Sequence, residues 1–344
     1  MRVVVVGATG NVGTSVLESL GRDDDVESIL GLARRRATAA YAKTEFATAD
    51  IVRDDLVEHF RGADCVVHLA WLIQPSHDHG TLWATNVEGS SRVFAAVAEA
   101  GVPSLVVASS IGVYSPGPKE RVDESWPRNG VPTSWYARHK AEMERRLDRF
   151  EAEHDVRVVR LRPGLIMKRE SAEEIRRLFT GPLLPSPLVR PGRLPLFPHI
   201  PGAVVQLVHS LDVGEAYRLA VVREVSGPFN IAAEPEVDGR KVAAEIGARA
   251  VTIPAAVARA LASATWRSRL QPTSPDWLDL ALGVPLLDSS RARDELGWTP
   301  QRDGLETAVE LLRGLAERAH GPTPPLRRGD RFSELAAGVG GKSV

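Results

Sequence analysis

A chain of 344 residues with 43% hydrophobic and 25% charged residues can bury a sizeable core, and its balance excludes a disordered, collagen-like or disulfide-stapled protein. Its 43 basic and 44 acidic side chains sum to −1, so no basic excess exists to hold a nucleic-acid backbone. The single cysteine, Cys65, leaves no internal disulfide or cysteine zinc site, and no run approaches the roughly 18 apolar residues that span a bilayer.

In chain order, short apolar β-branched runs at residues 3–6, 28–33, 46–49, 65–69, 105–108 and 156–161 alternate with helical patterns, as βαβ units of a parallel sheet require. The two longest helical patterns cover 82–100, closed by Gly101 and Pro103, and 136–153. Past Pro163 the many prolines and glycines between 181 and 202 interrupt regular structure. A strand at 204–208, a helix at 212–222, a strand at 229–231 and later helices up to about 317 are expected there. The Ala-rich stretch 254–270, with Arg259, Arg267 and Arg269, is expected to pack in that second region. Residues 321–344, with the Gly-rich 338–341, read as a loosely ordered tail. The apolar run after Arg2 is four valines long and ends in glycine, too short for a signal peptide, so the cytoplasm is the expected location.

The strongest local signal is Gly7-Ala8-Thr9-Gly10-Asn11-Val12-Gly13, between the first strand and the helix that follows. Gly7 allows a tight turn, Gly10 lets backbone approach a diphosphate, Gly13 lets helix and strand pack closely, and the helix N-terminus offers N–H groups to the anion. The expected fold is therefore α/β: a doubly wound Rossmann parallel sheet over 1–163, with a smaller mixed C-terminal substrate-binding unit over 164–320, some of whose segments return to the sheet. Where the second strand ends, an acid would bond a ribose 2′-hydroxyl; this chain has Arg34-Arg35-Arg36 instead, which favours NADP, with NAD the alternative.

The three-and-three glycine spacing is typical of short-chain dehydrogenases/reductases. Across most of its length the chain resembles an extended member of that superfamily, of the NAD-dependent epimerase/dehydratase family. The resemblance rests on Asp50-Ile51, His68-Leu69-Ala70, Asn86-Val87-Glu88-Gly89, Ser109-Ser110, Tyr136-Ala137-Arg138-His139-Lys140, Arg162-Pro163-Gly164, the segment around His209 and Asp212, and 288–300. It implies Ser110, Tyr136 and Lys140 as catalytic residues. It further implies Asp50, Ile51, Leu69, Ala70, Asn86, Pro163, Tyr136 and Lys140 at the cofactor, beside the glycine motif, and a homodimer through the helices at 82–100 and 136–153.

Tyr136 and Lys140 lie four apart on one helix face, so an ammonium there is expected to lower the phenol's pKa, while Ser110 orients the reacting oxygen. Family dehydratases carry Asp-Glu after the catalytic hydroxyl residue; Ile111-Gly112 stand here, against elimination. The segment 160–166 lacks the asparagine that frames a sugar nucleotide, and Gln206 lies near where such enzymes carry arginine. The leading expectation is an NAD(P)-dependent oxidoreductase interconverting a secondary alcohol and a ketone on a small molecule. The alternatives are a nucleotide-sugar 4-epimerase with tightly held NAD and a non-catalytic cofactor sensor. His77-Asp78-His79 is read as a loop at the pocket mouth, with no metal expected, and Trp71 and Trp135 as residues shaping the substrate site.

Overall fold

The computed structural model describes residues 1–73, 76–182, 186–330 and 334. Its centre is a seven-stranded sheet, all parallel. The strands are β1 (Arg2–Val6), β2 (Ser28–Ala33), β3 (Thr44–Thr48), β4 (Cys65–His68), β5 (Ser104–Ala108), β6 (Arg157–Pro163) and β7 (Gly227–Ile231). Their order across the sheet is β7-β6-β5-β4-β1-β2-β3, with the reversal between β1 and β4 that opens a crevice for a ligand. The principal helices are α1 (Asn11–Gly21), α2 (Gly89–Glu99), α3 (Trp135–Glu153), α4 (Ser210–Val222), α5 (Ala255–Arg267), α6 (Pro275–Gly283) and α7 (Gly304–Glu317).

The valines of β1 show why the strands are apolar throughout. Val3 and Val5 face a core with Val16, Leu17 and Leu20 of α1 and Val213, Tyr217 and Leu219 of α4. Val4 and Val6 face another, with Val93, Phe94 and Val97 of α2 and Met143, Leu147 and Phe150 of α3. On the first face α1 and α4 meet closely. A Cβ at Gly214 would lie 2.5 Å from the Ser15 carbonyl oxygen, and the Ser15 and Ser210 hydroxyls are 2.9 Å apart.

The helix expected over 82–100 is built in three pieces. A short α-turn at His79–Trp83 and a π-helical turn at Ala84–Glu88 precede α2. Gly89 sits where a Cβ would meet the end of the Ile51 side chain at 2.9 Å, so the wide turn ends on a close contact. The strand expected at 204–208 is Leu207–His209, paired with Leu165–Met167, while β7 pairs with β6, Phe229 opposite Leu161. α5 packs beside α6 but buries none of its residues, leaving Val257 and Leu261 exposed, because its apolar positions face outward rather than into the second region.

The tail differs from expectation over its first ten residues. Thr323 and Leu326 are buried, and the Thr323 hydroxyl donates to the Thr9 carbonyl in the body of the protein. Residues 331–333 and 335–344, including the glycine-rich 338–341, lie outside the described residues.

Candidate active site

The site lies along the C-terminal edge of the sheet, and its first half is made of backbone. Gly7 has φ +89°, and a Cβ there would strike the Ala70 nitrogen at 2.7 Å; Leu69-Ala70 thus crosses directly over the turn, its Leu69 N–H bonded to the Val6 carbonyl. A Cβ at Gly13 would strike the Gly7 oxygen at 2.4 Å, whereas one at Gly10 would meet only that oxygen, at 3.6 Å. Open space therefore remains beside Gly10, the N-cap of α1, and no side chain caps the first-turn N–H groups of Asn11, Val12 and Gly13. That combination fits the diphosphate of a dinucleotide. Thr9 is buried, and Asn11 donates its side-chain amide to the Ile166 carbonyl at 3.3 Å. Arg34, Arg35 and Arg36 follow β2 as an exposed loop beside the turn.

The second half is made of side chains. Ser110 follows β5 in extended conformation (φ −171°) and caps the short 3-10 turn Ile111–Val113, its Oγ accepting from the Gly112 N–H at 3.0 Å. The same hydroxyl is hydrogen-bonded to the Tyr136 phenol. Tyr136 enters from the first turn of α3, whose N-cap Ser134 accepts from the Ala137 N–H. Gly112 is needed for this approach: a Cβ there would lie 3.0 Å from Tyr136 Cε1. Lys140, one turn further along α3, donates from Nζ to the Ala108 carbonyl at 2.6 Å and sits 3.5 Å from the centre of the Trp71 ring. Trp71 also meets Tyr136 edge-on at 6.1 Å, and its buried indole N–H has no partner.

These environments set the proton affinities. Burial pushes the Tyr136 phenol up to about 12, partly offset by the Ser110 hydrogen bond, and burial pulls the Lys140 amine down to about 7, opposed by Glu144. The expected lowering of Tyr136 by Lys140 is thus reversed. Desolvation dominates, and the Lys140 amine is engaged by the Ala108 carbonyl and the Trp71 face.

Beneath the cluster lies a buried ionic network. Glu144 of α3 accepts from Arg162 Nε and Nη2 (2.9 and 2.6 Å) and from the Ser109 hydroxyl (2.5 Å), while Arg162 Nη1 donates to the Tyr114 phenol oxygen at 3.0 Å. It ties β5, β6 and α3 together directly under Ser110 and Tyr136. Removing Glu144 costs about 3–5 kcal/mol, because the Arg162 guanidinium is then buried without its carboxylate.

The other expected site residues divide. Asn86 is fully buried, and both ends of its amide are spent on Leu72, accepting from the N–H at 2.7 Å and donating to the carbonyl at 2.9 Å. It fastens the loop that carries Ala70 and Trp71 rather than offering a group to a ligand. Ile51 is buried against Gly89, Asp50 accepts from the Val52 N–H in a local turn, and Pro163 ends β6 opposite Ile231. Gln206 likewise spends its amide on the backbone of Leu287, at 2.5 and 3.0 Å. His77 stacks on Trp266 at 4.1 Å and Asp78 caps the turn at His79–Trp83. Among the described residues no three His, Cys, Asp or Glu side chains gather as metal ligands, and no helix is long and apolar enough to cross a membrane.

Two pocket residues carry no local signal in the sequence. Trp277 of α6 lies 5.1 Å from the Tyr136 ring, and Phe179 meets Trp277 edge-on at 5.1 Å. With Trp71 and Trp135, Trp277 surrounds the Tyr136 ring with aromatic surface.

The family model of the NAD dependent epimerase/dehydratase family matches residues 3–178, just over half of the 344. An uncharacterized protein of Mycobacterium tuberculosis is 30% identical over 306 residues, 87% of this chain and 28% of that protein, so the chain spans little more than a quarter of that relative's length. A UDP-glucose 4-epimerase of Mycolicibacterium smegmatis is 28% identical over 340 residues, 92% of this chain and 100% of that protein. Among solved structures, the Thermus thermophilus UDP-glucose 4-epimerase complex with NAD superposes with a TM-score of 0.65 at 21% identity, covering 92% of this chain and 99% of that one.

Proposed function

The chain belongs to the NAD-dependent epimerase/dehydratase family, and on that premise we propose that it is an NAD(P)-dependent oxidoreductase that reduces a ketone to a secondary alcohol. The observation that carries the reading is Ser110, Tyr136 and Lys140 gathered at the end of β5, beside a turn whose backbone suits a dinucleotide diphosphate. When bound, the nicotinamide supplies the hydride from its C4. The α1 N-terminus at Asn11, Val12 and Gly13 would hold the diphosphate, and Lys140 would hold the nicotinamide ribose. Ser110 orients the carbonyl oxygen by hydrogen bonding, and Tyr136 donates the proton that the oxygen gains. A phenol held near 12 keeps that proton throughout the neutral range, which suits donation and therefore the reducing direction.

Trp71, Trp277 and Phe179 favour an apolar or aromatic ketone, and the engaged amide of Gln206 offers no cation to a nucleotide diphosphate. The exposed Arg34 and Arg35 favour NADP(H); Arg34→Ala should weaken NADP(H) roughly tenfold or more and NAD(H) far less. Titration of both cofactors checks this, equal losses rejecting Arg34 as the discriminator. A homodimer through α2 and α3 belongs to the same reading, by resemblance to extended family members. Light scattering showing a monomer at micromolar concentration would remove that assignment. The cytoplasm remains the proposed location.

A second reading, a nucleotide-sugar 4-epimerase, is favoured by the end-to-end likeness to the Mycolicibacterium smegmatis enzyme. Mass spectrometry of the nucleotide that copurifies separates the two. Exchangeable NADP(H) supports the reductase, and tightly held, non-exchanging NAD supports the epimerase.

A further inference from the structure

α7 ends at Glu317, and Arg318 turns the chain with φ 55°. The following residues, Gly321-Pro322-Thr323-Pro324-Pro325-Leu326-Arg327, have the composition of a linker, and three prolines fix much of their backbone. They close on themselves: the Gly321 N–H bonds the Leu326 carbonyl at 2.9 Å, and the Leu326 and Arg327 N–H groups bond the Thr323 carbonyl at 2.9 and 3.0 Å. The compact loop is then fastened at three places. Arg177 donates to the Arg327 carbonyl at 2.8 Å and to the Pro325 carbonyl. The Thr323 hydroxyl, wholly buried, donates to the Thr9 carbonyl at 2.8 Å. Arg327 Nη2 donates to the Thr38 hydroxyl at 3.1 Å.

One of these anchors is in the candidate site and another is in the loop beside it. Thr9 is in the glycine turn after β1, and Thr38 lies two residues beyond Arg36 in the loop after β2. In an open parallel sheet these neighbouring loops receive the adenosine half of a dinucleotide. The segment crosses from one to the other. Its one polar side chain with no access to solvent is spent on the dinucleotide turn, and it delivers an exposed guanidinium to a loop that already carries three. Gathering like charges on one loop raises the energy of the protein alone and is offset when an anion is held there.

We infer that residues 321–327 are a strap belonging to the dinucleotide site: they close its adenosine half, and Arg327 joins Arg34 and Arg35 in holding a phosphate on the adenosine ribose. The inference rests on the dinucleotide reading proposed above and concerns affinity, not chemistry. Thr323 and Leu326 position the strap; Arg327 touches the ligand.

The test is calorimetric titration of the full chain with NADPH and NADH, compared with a chain ended at His320, with Thr323→Val and with Arg327→Ala. Ending the chain at His320 should weaken NADPH roughly tenfold or more, and Thr323→Val several-fold. Arg327→Ala, an exposed substitution that leaves the packing intact, should weaken NADPH roughly tenfold and NADH less than about twofold. Hydrogen exchange at 321–327 should slow when NADPH is added. Unchanged affinity in Arg327→Ala and Thr323→Val overturns the strap even if the shortened chain does not fold. Tighter binding by the shortened chain also overturns it, since the segment would then obstruct the site. Wild-type protein that binds NADH alone removes the role of Arg327, and wild-type protein that binds neither nucleotide defeats the dinucleotide reading itself.

Discussion

The glycine turn at residues 7–13 and the Ser110, Tyr136 and Lys140 cluster lie at the ends of strands in one sheet, yet different physics holds each of them. In the turn the shape is a matter of backbone. Gly7 and Gly13 are confined by atoms that would lie 2.7 and 2.4 Å from an added Cβ, and the anion-binding groups are N–H donors of α1. In the cluster the shape is a matter of side chains. Three tryptophans surround the Tyr136 ring, the Glu144 and Arg162 pair braces α3 from below, and burial moves the proton affinities of Tyr136 and Lys140 in opposite directions. Perturbing the turn should therefore change binding and stability, whereas removing the Tyr136 hydroxyl from the cluster should change turnover with binding preserved.

The largest expected effect is at Tyr136. Tyr136→Phe keeps the ring and its aromatic contacts but removes the proton donor, so turnover should fall roughly 10²- to 10⁴-fold while dinucleotide affinity moves less than about twofold. Steady-state rates and a parallel titration check both halves; equal losses in rate and affinity would erase the contrast between the two regions. At the turn, Gly13→Ala forces a Cβ against the Gly7 oxygen and should cost about 1–3 kcal/mol of stability together with roughly tenfold or more in dinucleotide affinity. Thermal unfolding and titration measure it, and unaltered affinity would show that the turn does not hold the ligand.

Gly112→Ala is a finer probe. Its Cβ, 3.0 Å from Tyr136 Cε1, should displace the phenol by a few tenths of an ångström and lower turnover about tenfold with little change in unfolding temperature. A normal rate in that variant would mean that Tyr136 tolerates misplacement and is not held for proton transfer.

A pH-dependent effect marks Lys140. Its amine falls from 10.5 to about 7 on folding, so the folded state binds fewer protons than the unfolded state between those values. Stability contributed at this position therefore rises with pH across that window. The penalty for burying the charge is full below about pH 7 and fades toward 10.5. Lys140→Met should accordingly be most stabilised relative to wild type near pH 7 and lose that advantage as pH rises, read as the difference in unfolding temperature between the two proteins. A difference that grows with pH would contradict the assignment.

The same contrast explains what was legible in the sequence. The glycine turn was readable because backbone geometry is local: strand, three glycines and helix are consecutive, and their spacing alone states the constraint. The places of the first six strands were readable for a related reason, since most strands of a sheet covered on both faces are apolar. The motif marks Asn86 but not its partner Leu72, which is met only once the loop folds back on the π-helical turn at Ala84–Glu88. The direction of the Tyr136 shift was misread because one-turn spacing on a helix suggests charge coupling, while Trp71, Trp135 and Trp277, which impose the desolvation, come from three separate segments. The buried start of the tail was illegible because prolines and glycines describe a free linker and a fastened strap equally well. The bonds from Thr323 to Thr9, from Arg327 to Thr38 and from Arg177 to the loop carbonyls tell them apart.

The most direct test of the proposed chemistry is hydride tracing. Wild-type protein is incubated with NADPH deuterated at the reactive C4 position and a panel of aryl and alkyl ketones, and the carbinol carbon of each product is examined by mass spectrometry and NMR. The expected result is deuterium on that carbon in wild-type reactions and a roughly 10²- to 10⁴-fold slower appearance with Tyr136→Phe. Absence of label from every ketone, with a nucleotide sugar epimerised by enzyme-held NAD instead, would contradict the account.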